Sequence, residues 1–107
     1  MEFSDFDIEI QDEKGVTPKN ENGTVTTAGT PITVTPPSGK ITAIQIYNPR
    51  RGANANAPTD VLYISWDGTD YMSIPRGEMR EISTYLSSFK VDSSVDGVKY
   101  EIVFLYD

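Results

Sequence analysis

"VLYISWDGTDYMSIP" occupies residues 61–75. Apolar and polar side chains alternate through residues 61–66 and again through 71–74, with Asp67-Gly68-Thr69-Asp70 between the two runs. Period two marks a half-buried strand, so the stretch predicts two strands joined by a tight turn. In such a turn Gly68 takes the positive φ and the aspartate side chains cap nearby N–H groups. The same residues also suggest a site. Asp67 and Asp70 stand beside Trp66 and Tyr71, and Glu78 falls at the distal position of a calcium loop counted from Asp67. Thr69, the intervening Pro75 and the lack of flanking helices speak against calcium. Trp66 shares a face with Leu62 and Ile64, which predicts a core residue. Exposed instead, Trp66 and Tyr71 would offer rings for stacking on a sugar.

Period two extends in both directions. Lys40 to Asn48, "KITAIQIYN", carries Ile44 and Ile46 on one face and Ile41, Ala43 and Tyr47 on the other, as a central strand with a layer on each side does. In "VKYEIVFLYD" (residues 98–107), Val98, Tyr100, Ile102, Phe104 and Tyr106 share one face, and Val103 and Leu105 lie on the other. "MREISTYLSSF" (79–89) fits a short helix or a strand, and the spacing of its neighbours favours a strand. "TVTT" and "ITVTP" predict two more short strands, "PRRGANANAP" (49–58) a long loop, and Asp96-Gly97 a hairpin. Seven to nine short strands with frequent turn signals predict an all-β fold, an antiparallel β-sandwich or jelly roll.

At 107 residues the chain has the length of one domain, and a chain of this size buries only about 60–68% of its unfolded surface. Association with itself would add stability. It has neither cysteine nor histidine, which removes disulfides, thiolate nucleophiles, the commonest general base and the commonest transition-metal ligand. Its sixteen acids make chance carboxylate pairs certain, and nothing marks a pair set across a cleft for glycoside hydrolysis. A non-enzymatic protein without cofactor or metal is expected, and a small-molecule ligand is not. The net charge of −7 disfavours a nucleic-acid partner. No stretch approaches the roughly 20 apolar residues of a membrane helix, and the acidic start "MEFSDFDIEI" does not resemble a signal peptide, so a soluble chain is expected.

Most of the charge imbalance sits at the start. Residues 1–22 hold seven acids against two lysines. Phe6, Ile8 and Ile10 alternate there with Asp5, Asp7 and Glu9, and "DEKGVTPKNENG" then reads as a polar linker. The expected organisation is an acidic N-terminal arm and linker over residues 1–23 and a β-sandwich domain over 24–107. The arm either joins its own sheet or pairs with the edge of another molecule. Arg50 and Arg51 form the sole basic pair in sequence, and an acidic arm from a neighbouring subunit would suit them; otherwise they are solvated loop residues.

Residues 40–107 resemble a pattern found in small virion proteins of tailed bacteriophages: an apolar strand, Asp67-Gly68-Thr69, the aromatic Tyr71, the turn Ile74-Pro75-Arg76-Gly77, then Lys90-Val91, Gly97 and Tyr100-Glu101-Ile102. The resemblance implies a β-sandwich that decorates a capsid or fills a head, neck or tail position, located in the virion and bound to other virion proteins and to itself. It carries over no active-site residue. The arm lies outside the matched residues; from its alternation and charge, and from the basic pair, the expected partner-binding residues are Phe6, Ile8, Ile10, Arg50 and Arg51. A carbohydrate-binding or adhesion module using Trp66, Tyr71, Asp67 and Asp70 is the alternative.

Overall fold

The computed structural model of the protein describes residues 16–107. They form eight strands: β1 (Thr17–Val25), β2 (Ile32–Val34), β3 (Ile41–Tyr47), β4 (Val61–Ser65), β5 (Met72–Pro75), β6 (Met79–Leu86), β7 (Phe89–Ser93) and β8 (Val98–Tyr106). These make two four-stranded antiparallel sheets, ordered β1-β8-β3-β6 and β2-β7-β4-β5. The all-β expectation holds, and residues 79–86 are strand rather than helix.

The pairing is nested. β4 pairs with β5, β3 with β6, β2 with β7 and β1 with β8. The chain is thus one long hairpin whose tip is the 67–70 turn, doubled over so that successive pairs fall in alternate sheets. Among consecutive strands only β4 and β5 are neighbours in a sheet. The Asp96-Gly97 expectation is corrected accordingly: β7 and β8 lie in different sheets, and this turn carries the chain between them. The Gly97 N–H donates to the Val25 carbonyl at 2.8 Å, which ties the crossing to the end of β1.

One apolar cluster draws on both sheets. Val25, Ile41, Ile44, Ile46, Ile102 and Phe104 come from the first, and Val34, Leu62, Ile64, Ile74, Phe89 and Val91 from the second. Phe89 and Phe104 meet edge to face across the sheets, with ring centroids 6.4 Å apart and planes at 83°, a favourable aromatic geometry. β8 keeps its expected faces: Val98, Tyr100, Ile102 and Phe104 are in this cluster, Tyr106 packs against it, and Leu105 is buried on the opposite face with Ala43 and Val16.

Two local expectations are overturned. Ile41 shares the core face with Ile44 and Ile46, because the register of β3 shifts between Ile41 and Ala43 against both neighbours. Such a bulge reverses the alternation. Residues 17–23, read as linker, are strand. They lack apolar alternation because β1 is an edge strand held by main-chain pairing to β8 along its whole length. Pro18 and charged side chains suit an edge, and Lys19 and Glu21 pair with each other there at 3.5 Å. Among the described residues, the layer on the outer side of β3 is Val16 over Ala43 and Leu105. The arm residues Phe6, Ile8 and Ile10 lie outside the described residues.

Candidate functional site

β3 ends at Tyr47, and Asn48 follows, fully buried. Its side-chain amide donates to the carbonyls of Asp60 at 3.0 Å and Ile74 at 2.9 Å, and its Oδ1 accepts from Asn56 Nδ2 at 2.7 Å. Asn56 is also buried. Its Nδ2 donates a second bond to the Lys99 carbonyl at 2.7 Å, and its Oδ1 accepts from the Lys99 N–H at 2.8 Å. Every amide hydrogen of the pair is used, which is how buried polar groups persist in an apolar interior. The two asparagines pin the 48–60 loop to β5 on one side and β8 on the other.

That loop carries Arg50 and Arg51, both exposed. It is joined to the β5–β6 turn by two main-chain bonds: Gly77 N–H to the Asn48 carbonyl at 2.7 Å, and Asn48 N–H to the Glu78 carbonyl at 3.1 Å. The side chain of Arg50 lies across Gly77, where a Cβ would stand 2.7 Å from Arg50 Cδ. Arg76 sits in the same turn, and Arg80 opens β6. All four arginines of the chain thus occur on two adjoining segments at one end of the molecule. Arg80 is engaged: it pairs with Glu78 at 3.0 Å and donates to the Ser73 carbonyl at 3.3 Å, closing the β5–β6 edge. Arg50, Arg51 and Arg76 have no carboxylate partner among the described residues. Gly77 has φ +85°, a conformation that costs an L-residue about 1–2 kcal/mol. Gly77→Ala is therefore expected to destabilise by about 1–3 kcal/mol and to displace Arg50, read by urea denaturation and by the Arg50 side-chain resonances. An unchanged midpoint would contradict this.

The hairpin tip lies at the opposite end of β4. Gly68 has φ +76°, as expected for the turn. Ser65 is fully buried, and its Oγ accepts from Gly68 N–H at 2.9 Å and donates to Asp67 Oδ1 at 2.8 Å. The turn therefore begins at Ser65, alternation stops, and Trp66 is 45% exposed instead of in the core. In the same turn Asp67 and Asp70 are exposed and Tyr71 partly so. Glu78 is beyond β5 and held by Arg80, so it does not join Asp67 and Asp70.

Asp67 Oδ1 accepts from Asp70 N–H at 2.9 Å and Thr69 N–H at 2.8 Å. These bonds, with that from Ser65, lower its pKa to about 2. Because the folded value is depressed, its stabilising effect is complete above the ordinary value of 3.8 and disappears as the pH falls through about 2. A carbon-detected titration should place the Asp67 carboxyl near 2, and Ser65→Ala should move it up. Titration together with the ordinary exposed carboxylates would contradict the cap.

On the outer face of the first sheet, Asn20, Asn22, Gln45, Tyr47, Met79 and Glu101 line a depression of about 260 Å³. It runs up to the arginine loop, where the Arg50 N–H donates to the Tyr47 hydroxyl at 3.4 Å. Sequence reasoning named Arg50 and Arg51 but missed Asn48, Asn56 and Arg76; Arg76 lies 20 positions beyond Asn56 and joins the 48–60 loop only because the two connections close at one end. No protein-family model and no curated protein matches the chain.

Proposed function

We propose that the protein is a structural protein of a bacteriophage virion. In this reading it is a non-enzymatic jelly-roll module that binds capsid, neck or tail subunits and a second copy of itself. The observation that carries the proposal is the strand order. Nested pairs β1–β8, β2–β7, β3–β6 and β4–β5, distributed over sheets β1-β8-β3-β6 and β2-β7-β4-β5, support reading the fold as a jelly roll, an architecture of viral capsid and lectin domains. The resemblance of residues 40–107 to small tailed-phage virion proteins points the same way. The N-terminal arm belongs to this proposal as the residues that precede β1. Size-exclusion chromatography with light scattering, on the full chain alone and mixed with capsid, neck and tail proteins, tests it. A shift into a larger species is expected, and a monomer that joins none of them would sink the proposal.

The exposure of Trp66 favours a second reading, a carbohydrate-binding module at the hairpin tip. An exposed indole beside Tyr71, Asp67 and Asp70 combines a stacking face with hydrogen-bond acceptors. Glycan-array binding that disappears in Trp66→Ala, with an unchanged circular-dichroism spectrum, would put this reading first.

A further inference from the structure

We infer that the arginine end is a docking site for a carboxylate-rich extended segment, and that its occupant is residues 2–13 of a second copy of this chain. The inference rests on the assembly reading above and names its contact.

The described cations are unequally engaged. Lys19 pairs with Glu21, Lys40 Nζ donates to Ser87 Oγ at 2.7 Å, and Lys90 Nζ donates to Thr33 Oγ1 at 2.9 Å. Arg50, Arg51 and Arg76 are the positive groups gathered in one place without a carboxylate partner among the described residues. Guanidinium is the cation best shaped for carboxylates, because its planar fork donates two parallel bonds. The site is also held in place beforehand. Asn48 and Asn56 lock the loop, and Arg50 is laid across Gly77. Less ordering cost remains at the moment of binding.

The chain itself supplies the complementary segment. Residues 2–13 contain six carboxylates and no base. Extended, the segment presents Asp5, Asp7 and Glu9 along one edge at intervals of about 6.5–7 Å, suited to successive arginines. A chain that bears both the donor segment and the acceptor site makes head-to-tail contacts, which close into rings or extend as filaments. Phosphates of a nucleic acid share the affinity for arginine, but a chain of net charge −7 repels them.

Two full-chain variants test this. Arg50→Glu/Arg51→Glu/Arg76→Glu reverses the site, and Asp5→Lys/Asp7→Lys/Glu9→Lys reverses the segment. Light scattering should show wild-type self-association that weakens with added salt. Each variant alone should associate at least about tenfold more weakly, and an equimolar mixture of the two should recover association, since each now complements the other. Circular dichroism confirms that both are folded. A monomeric wild type, variants that associate like wild type, or a mixture no tighter than its components would overturn the inference. Binding of a DNA oligonucleotide to the arginine end without self-association would also overturn it. If the reversed variants self-associate like wild type and still join capsid, neck or tail proteins, the contact proposed here fails while the assembly reading stands.

Discussion

Phe104→Ala should cost about 3–5 kcal/mol and lower the melting temperature by about 12–40 °C, taking about 4–8 °C per kcal/mol for a domain of this length. Phe104 is 1% exposed, meets Phe89 of the other sheet edge to face at 6.4 Å, and contacts Tyr106 at a centroid separation of 6.0 Å. Its removal deletes the aromatic contact between the sheets and leaves a cavity that strands fixed in register on both sides collapse into only partly. Trp66→Ala is the control. The same class of truncation at a half-exposed turn residue should cost no more than about 1 kcal/mol. Calorimetry on both variants checks the pair. Equal losses would contradict the placement of Phe104 in the shared core and of Trp66 outside it.

Asn48→Ala should destabilise by about 2–5 kcal/mol. The substitution removes the Asn48 donor from the buried carbonyl of Ile74 and the partly buried carbonyl of Asp60, and leaves one buried Asn56 hydrogen without an acceptor. Each such buried orphan costs about 1–3 kcal/mol. Asn48→Asp is near-isosteric and separates hydrogen bonding from volume. It retains an acceptor for Asn56 but turns an oxygen toward two carbonyls. Burial raises the pKa of a carboxyl at this position, so the destabilisation should grow as the pH rises above the unfolded carboxyl value and shrink in acid. Amide exchange of Asn56, Gly77 and Lys99 should accelerate in both variants, because the Gly77 and Lys99 N–H groups hold the loop to its neighbours and the Asn56 N–H closes the loop on the Pro49 carbonyl. Wild-type exchange at these three amides, or a pH-independent Asn48→Asp, would show that the amide pair does not fix the arginine loop.

Much of the fold was legible where burial imposes period two. β8 could be assigned face by face, because each of its inward residues fills the core and Lys99 and Glu101 interrupt the other face. β4, β5 and Gly68 were legible for the same reason, together with the restricted backbone of a tight turn. β1 was not. An edge strand whose partner supplies the apolar surface needs no apolar residues of its own, and its sequence, TPKNENGTV, resembles a linker. Ile41 and Trp66 were misplaced because one bulge and one serine-initiated turn each interrupt alternation without a distinctive residue. The candidate site was half legible. The doublet Arg50-Arg51 is visible in one dimension, but Arg76 joins it only when the β3–β4 and β5–β6 connections close at the same end. Asn48 and Asn56 looked like ordinary loop composition, and nothing local distinguishes an asparagine that satisfies buried carbonyls from one that faces water.

Quantitative mass spectrometry of phage particles, purified from the strain that carries the gene and washed in high salt, tests the proposed virion role most directly. The account predicts that the chain remains with the particles at a fixed copy number relative to the major capsid subunit. Its absence from washed particles, with the chain recovered as free monomer in the supernatant, would contradict it.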